Sequence, residues 1–213
     1  MKNITITAHT GCENTPENSL ESIVKGALLG ADIVEFDIRF DKNNNPILSH
    51  DEPTGGEVTL EQAFAKLSEY ENLKVNLDIK CTDNLNAVQT LAEKYNLLDR
   101  AFYTGVFAQF VDAVKTDSPK LPYFLNITDV IPSDEHTEEY LLSLVEKVRN
   151  YGAIGINFHF GNASKELVEA FHKNDLQVSI WTVNEIEDFK RIIEFAPDNI
   201  TTRKPSIAKK LIK

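Results

Sequence analysis

With 213 residues, 42% of them hydrophobic, the chain is long enough to bury a core without help from a metal or a disulfide. Its formal net charge of −11 argues against sequence-independent nucleic-acid binding. A small anionic substrate remains compatible, because local fields in a cleft outweigh distant surface charge.

A strand pattern at Ile4 to His9 opens the chain, following Met1-Lys-Asn with no apolar stretch of a signal peptide. No run approaches transmembrane length, and the two cysteines, Cys12 and Cys81, read as reduced thiols, so a cytoplasmic location is expected. A helix follows with Leu20, Ile23, Val24, Ala27 and Leu28 on its stripe, Asn18 and Glu21 at capping positions and Gly30 as its stop. Ile33 to Phe40 is the second strand, and Pro46 to His50 a short return strand. Thr59-x-x-Gln62 caps the next helix, before a third strand at Lys74 to Lys80.

Helix and strand patterns keep alternating. Strands are predicted at Phe102 to Val106, Tyr123 to Ile127, Ile154 to Phe160, Gln177 to Val183 and Asn199 to Thr202. Asn184-x-x-Glu187 reads as a helix cap, and Pro205 opens the last helix. The count is eight β/α units, which predicts a (β/α)₈ barrel as a single domain over residues 1–213. A doubly wound open sheet is the competitor. The barrel is favoured because the chemically active residues fall near the C-terminal ends of several strands, and no glycine-rich dinucleotide loop follows the first strand.

Strand alternation puts Glu35 and Asp37 on one face of the second strand, and Asn76, Asp78 and Lys80 on one face of the third. Adjacent carboxylates repel and resist burial unless a cation neutralises them. Glu35, Asp37 and Asp78 are therefore candidate ligands for a hard divalent cation, Mg²⁺ or Ca²⁺. The structural alternative is a set of ion pairs among Glu35, Asp37, Arg39 and Lys80. His9 and His50, at strand ends beside this cluster, read as metal ligands, structural hydrogen bonders or a general acid-base pair, of which the pair is favoured. Cys12 reads as an incidental loop thiol, His159 as a hydrogen-bonded barrel histidine, and His136 and His172 as surface residues.

Several of these segments recur together in one family. Ala8-His9-x-Gly11, Pro16-Glu17-Asn18-Ser19, Gly30 through Asp37 and Ser49-His50-Asp51 resemble the N-terminal signature of glycerophosphodiester phosphodiesterases. Leu77-Asp-Ile-Lys80, Ile180-Trp-Thr-Val-Asn184 and Ile200-Thr-Thr-x-x-Pro205 resemble its later motifs, so the likeness spans nearly the whole chain in order. The resemblance implies a (β/α)₈ barrel that hydrolyses glycerophosphodiesters to glycerol 3-phosphate and an alcohol with a divalent cation. It assigns His9 and His50 to acid-base work, Glu35, Asp37 and Asp78 to the metal, and Lys80 to the phosphate. It also places Glu17 near the active site and makes Trp181 a wall of the substrate pocket.

Four departures from the family pattern bear on chemistry. Thr10 stands where the family has arginine, and Asp78 where it has glutamate. The segment from His50 to Thr59 lacks the usual insertion after strand two, which implies an open mouth. In the last motif Arg203 replaces an acidic residue; barrel closure would bring it beside Thr10, where it would supply the missing phosphate-binding cation. The competing functions are a related phosphodiesterase acting on phospholipids and a catalytically weakened phosphodiester-binding protein. No amphipathic or aromatic surface segment supports membrane docking; the resemblance implies a small-molecule glycerophosphodiester substrate, with neither nucleic acid nor stable membrane insertion. The oligomeric state is not legible.

Overall fold

Apolar strand runs and amphipathic stretches assemble as alternation demands in the structure, a computed structural model describing residues 4–212. Met1, Lys2 and Asn3, which precede the first predicted strand, and Lys213 lie outside the described residues. The first half of the chain supplies β1 (Thr5–Ala8), α1 (Leu20–Leu28), β2 (Ile33–Phe40), β3 (Pro46–Leu48) and α2 (Leu60–Leu67). It continues with β4 (Lys74–Ile79), α3 (Leu85–Lys94), β5 (Ala101–Val106) and α4 (Val111–Asp117). The second half holds β6 (Tyr123–Asn126), α5 (Glu138–Tyr151), β7 (Gly155–His159) and α6 (Lys165–His172). It ends with β8 (Gln177–Trp181), α7 (Ile186–Phe195), β9 (Asn199–Thr202) and α8 (Pro205–Leu211).

All strands but β3 are parallel, and the sheet closes on itself where β1 pairs with both β2 and β9. That is the predicted (β/α)₈ barrel. β3 is an antiparallel appendage on β2, and the chain turns from it straight to α2, with Leu48 N donating to Val58 O at 2.8 Å. The long covering insertion is absent here.

The apolar core lies between strands and helices, where Val34, Phe36 and Ile38 of β2 meet the helix stripes. The barrel's own interior is polar. Asn199 Oδ1 accepts from Thr5 and Thr7, and its Nδ2 donates to Ser179 and Thr201, which uses the whole capacity of that amide. This network ties β9 to β1 and β8 across the closing seam.

Two predicted caps fall elsewhere. Ser19, not Asn18, caps α1, its hydroxyl accepting from Ser22 N at 3.1 Å. Asn184 does not cap α7; its side-chain oxygen accepts instead from Arg203 N at 2.9 Å. Leu28, 74% exposed, is the last residue of α1, and exposed Ile186 the first of α7. Both stand outside the stripe that meets the sheet.

Candidate active site

Parallel register does the first part of the assembly. Asp37 on β2 lies level with Asp78 on β4, and Glu35 level with Asn76. Because alternate residues share a face, Glu35, Asp37 and Asp78 point into the barrel at its C-terminal end. Each offers a carboxylate oxygen within 4.8 Å of the others.

Burial makes this cluster costly as it stands. Glu35 is pushed up to about 7, chiefly by burial, with Asp37 and Asp78 adding repulsion; nearby His9 and the bond from Thr10 N act the other way. Lys80 offsets part of the charge: its Nζ is 2.9 Å from Asp37 Oδ1 and hydrogen-bonds Asp78 Oδ2. Burial opposes the ammonium form, but Asp78 and Asp37 outweigh it and hold Lys80 above the usual lysine range. Of the ion pairs foreseen as a structural alternative, Lys80 thus makes its share. Arg39 lines the same cavity but pairs elsewhere, its Nε donating to His50 O at 2.8 Å and its Nη1 lying 2.6 Å from Glu52.

Three oxygen donors so close together, one of them raised by burial and repulsion, fit a hard divalent cation. Histidine and cysteine are not in the cluster, which disfavours zinc.

His9, just past β1, is half-buried, with Nδ1 2.8 Å from Thr10 O and 3.6 Å from Glu35 Oε2. A carbonyl only accepts, so Nδ1 carries the proton in neutral His9 and Nε2 is the basic nitrogen. His50 follows β3 in a loop; its side chain is 62% exposed and its Nδ1 lies 2.8 Å from Asp51 Oδ1. Both histidines line one cavity of about 510 Å³, with the three carboxylates of β2 and β4 forming one side. Trp181 and Arg203 line it too, together with Phe107 and Phe110 from the β5–α4 connection.

Glu17 stands apart from that cavity. It lines a neighbouring cleft of about 460 Å³ that shares His50 and Asp51, and its Oε1 is 2.6 Å from Arg203 Nη1. Thr10 is buried and does not face the cavity: its hydroxyl accepts from Asn18 N, and its own N donates to Glu35 Oε2 at 2.9 Å. Trp181 is half-buried, its indole Nε1 without a hydrogen-bond partner, and its ring meets His159 edge-on at 5.5 Å. His159 is therefore no interior histidine. It sits exposed at the end of β7, where Gly161 N donates to its Nδ1 at 3.1 Å. Cys12 is buried and raised chiefly by that burial, in keeping with an inert thiol.

Sequence reasoning missed two supports of the carboxylates. Thr104 on β5 donates to Asp78 Oδ1 at 2.7 Å, and Asn18 binds Asp37. Thr104 faces Asp78 in the parallel register, a signal that strand alternation on β5 would have given. Asn18 gave no such signal, because its partner is 19 positions away.

Comparison with known proteins agrees with this geometry. A family model described as the glycerophosphoryl diester phosphodiesterase family matches residues 9–96 and 57–207. A glycerophosphodiester phosphodiesterase of Caldanaerobacter subterraneus subsp. tengcongensis is 26% identical over 250 residues, spanning 100% of this chain and 99% of that protein. Among solved structures, an Oleispira antarctica phosphodiesterase in complex with the product sn-glycerol-3-phosphate has a TM-score of 0.81 at 18% identity, covering 98% of this chain and 96% of its own. A Thermotoga maritima glycerophosphodiester phosphodiesterase has a TM-score of 0.72 at 21% identity, covering 99% of each chain. These two likenesses establish the common barrel. The family match, running from His9 through β2, β4, β5 and β9 and so through each strand that bears on the carboxylate cluster, makes this chain an enzyme of the glycerophosphoryl diester phosphodiesterase family.

Proposed function

We propose that the chain, acting as one catalytic domain over residues 1–213, hydrolyses glycerophosphodiesters to glycerol 3-phosphate and an alcohol with a divalent cation. The observation that carries this is the convergence of Glu35, Asp37 and Asp78 within 4.8 Å beside two histidines on one cavity. Glu35, Asp37 and Asp78 would hold Mg²⁺ or Ca²⁺ there. Bound, the cation supplies positive charge that polarises phosphate oxygens.

His9 Nε2 is suited to take the proton of the attacking nucleophile, since its Nδ1 is committed to Thr10 O. His50, exposed and oriented by Asp51, is suited to protonate the leaving alkoxide at the outer rim. Lys80 and Arg203 bring fixed positive charge to the phosphate, and Trp181 walls the substrate pocket. Glu17 acts on substrate through the Arg203 guanidinium it holds. The reaction belongs in the cytoplasm, where free thiols such as Cys12 and Cys81 persist. Among the described residues no helix is long and apolar enough to cross a membrane.

The deciding assay is release of glycerol 3-phosphate from glycerophosphocholine with Mg²⁺, with Ca²⁺ and with EDTA. Turnover that needs the cation is the expected result. No turnover of a panel of such diesters with any divalent cation would overturn the assignment.

A further inference from the structure

The geometry points to Asn18 as a positioning residue that fixes the orientation of Asp37, braced in turn by the hydroxyl of Thr10. The inference rests on Asp37 being a metal ligand, as proposed above. Asn18 lies in the loop before α1 with a backbone φ of 52°, a left-handed conformation that asparagine tolerates better than most residues. From there its carboxamide meets one residue of β2 twice. Nδ2 donates to Asp37 Oδ2 at 2.8 Å, and Oδ1 accepts from Asp37 N at 2.9 Å.

That two-point clamp restrains both the side chain and the main chain of Asp37. With Oδ2 tied to the amide, Oδ1 turns toward the centre of the cluster, where Lys80 Nζ lies 2.9 Å away. The clamp is itself anchored, since Asn18 N donates to Thr10 Oγ1. Thr10 also donates from its N to Glu35 Oε2 at 2.9 Å and accepts at its O from His9 Nδ1 at 2.8 Å. One threonine therefore registers a histidine and two carboxylates against one another: Glu35 and His9 directly, Asp37 through Asn18. Threonine at this position has a structural use that arginine would not have, because an arginine offers no acceptor for Asn18 N.

The test is Mn²⁺ titration by electron paramagnetic resonance, with the metal alone, on the full chain. Asn18→Gly keeps the left-handed backbone and removes the clamp, so Mn²⁺ affinity should fall about 10–100-fold, as when an outer partner of a metal ligand is lost. Asn18→Asp, which sets an oxygen against Asp37 Oδ2, should weaken it as well and serves if the glycine variant does not fold. Thr10→Val should move in the same direction, and Thr10→Ser should restore wild-type affinity. With glycerophosphocholine at saturating Mn²⁺, the KM of Asn18→Gly should stay near wild type while the metal concentration for half-maximal rate rises. Asp37→Asn, measured alongside, separates the two assignments. If it leaves Mn²⁺ binding intact, the metal assignment fails and takes the positioning role with it. If it abolishes binding while Asn18→Gly stays within about twofold of wild type, only the positioning role is overturned. A lowered Tm with unaltered Mn²⁺ affinity would likewise reduce Asn18 to a structural residue.

Discussion

His9 Nδ1 bonds a carbonyl and His50 Nδ1 a carboxylate, so each imidazole has its other nitrogen directed to work. Removing either group, as His9→Ala or His50→Ala, should cut turnover by about 10²–10⁴-fold while Mn²⁺ still binds. Steady-state kinetics with metal titration check this, and the parent pH-rate profile should have two limbs. A flat profile between about pH 5 and 9, with chemistry rate-limiting, would contradict paired histidines. Glu35 sets a different pH dependence. Raised to about 7 by burial and by its acidic neighbours, it is deprotonated above that pH and protonated below it. A cation needs the carboxylate, so affinity must rise with pH through this range; from pH 8 to pH 6 Mn²⁺ affinity should drop about tenfold, one proton's worth. Calorimetry at the two pH values decides, and equal affinities would mean that Glu35 is already ionised at pH 6. Arg203 is the third case at this scale. Its pair with Glu17 joins two half-exposed side chains and so contributes little to stability. Arg203→Ala should leave Tm and metal affinity nearly intact yet slow turnover about 10²-fold through lost phosphate stabilisation. Unchanged kcat/KM would remove Arg203 from the substrate site.

Elements carry the site because their ends are well defined, and the local sequence explains most of those ends. The Thr59–Gln62 reciprocal cap of α2, the left-handed Gly152 after α5 and Pro205 at the start of α8 all follow from residues within one turn. Alternation along β2 and β4 likewise made the carboxylate face legible, since side-chain direction in a strand depends only on parity. Asn18 and Asn184 escaped for the opposite reason. Each side chain serves a partner from another part of the chain, Asp37 for one and the Arg203 backbone for the other, and nothing local announces it. His159 was misplaced because β7 ends there, and parity no longer fixes direction once the strand stops. Close approach between elements gives a prediction of its own. Gly105 on β5 has φ +69°, and a Cβ there would lie 2.3 Å from Ile79 O and 2.9 Å from Asp78 Oδ1. Gly105→Ala should therefore cost about 1–3 kcal/mol from the backbone conformation alone, with the clash added. In a chain of this size that corresponds to a fall in Tm of several degrees, roughly 2–4 °C per kcal/mol. Thermal unfolding checks it, and an unchanged Tm would contradict both the backbone strain at position 105 and the clash between β4 and β5.

Closure of the barrel is what turns separate strands into one site. The seam between β1 and β9, sealed by the Asn199 network, brings Arg203 to the rim just across β1 from β2 and lets it meet Glu17, a pairing of residues 186 positions apart that only the closed topology creates. The same topology leaves the rim open beside β3, where residues 49–59 form the whole connection to α2. The acidic groups along the cleft there are already engaged: Glu17 with Arg203, Asp51 with His50, Glu52 with Arg39, and Glu57 with the backbone of Thr54 and Gly55. Exposed and paired, they offer a cationic head group little that water does not. No long loop reaches over the cavity from this side to contact what lies beyond the phosphodiester. Discrimination needs contacts that differ between substrates in the transition state, and few are available here. Rates on glycerophosphocholine, glycerophosphoethanolamine and glycerophosphoglycerol should therefore agree within about tenfold in kcat/KM, or ~1.4 kcal/mol of transition-state binding. Competition assays with pairs of these diesters measure the ratio directly. A preference of a hundredfold or more would require another part of the rim to read the head group, and Phe107 and Phe110, which line the cavity from the β5–α4 connection, would be the first residues to substitute.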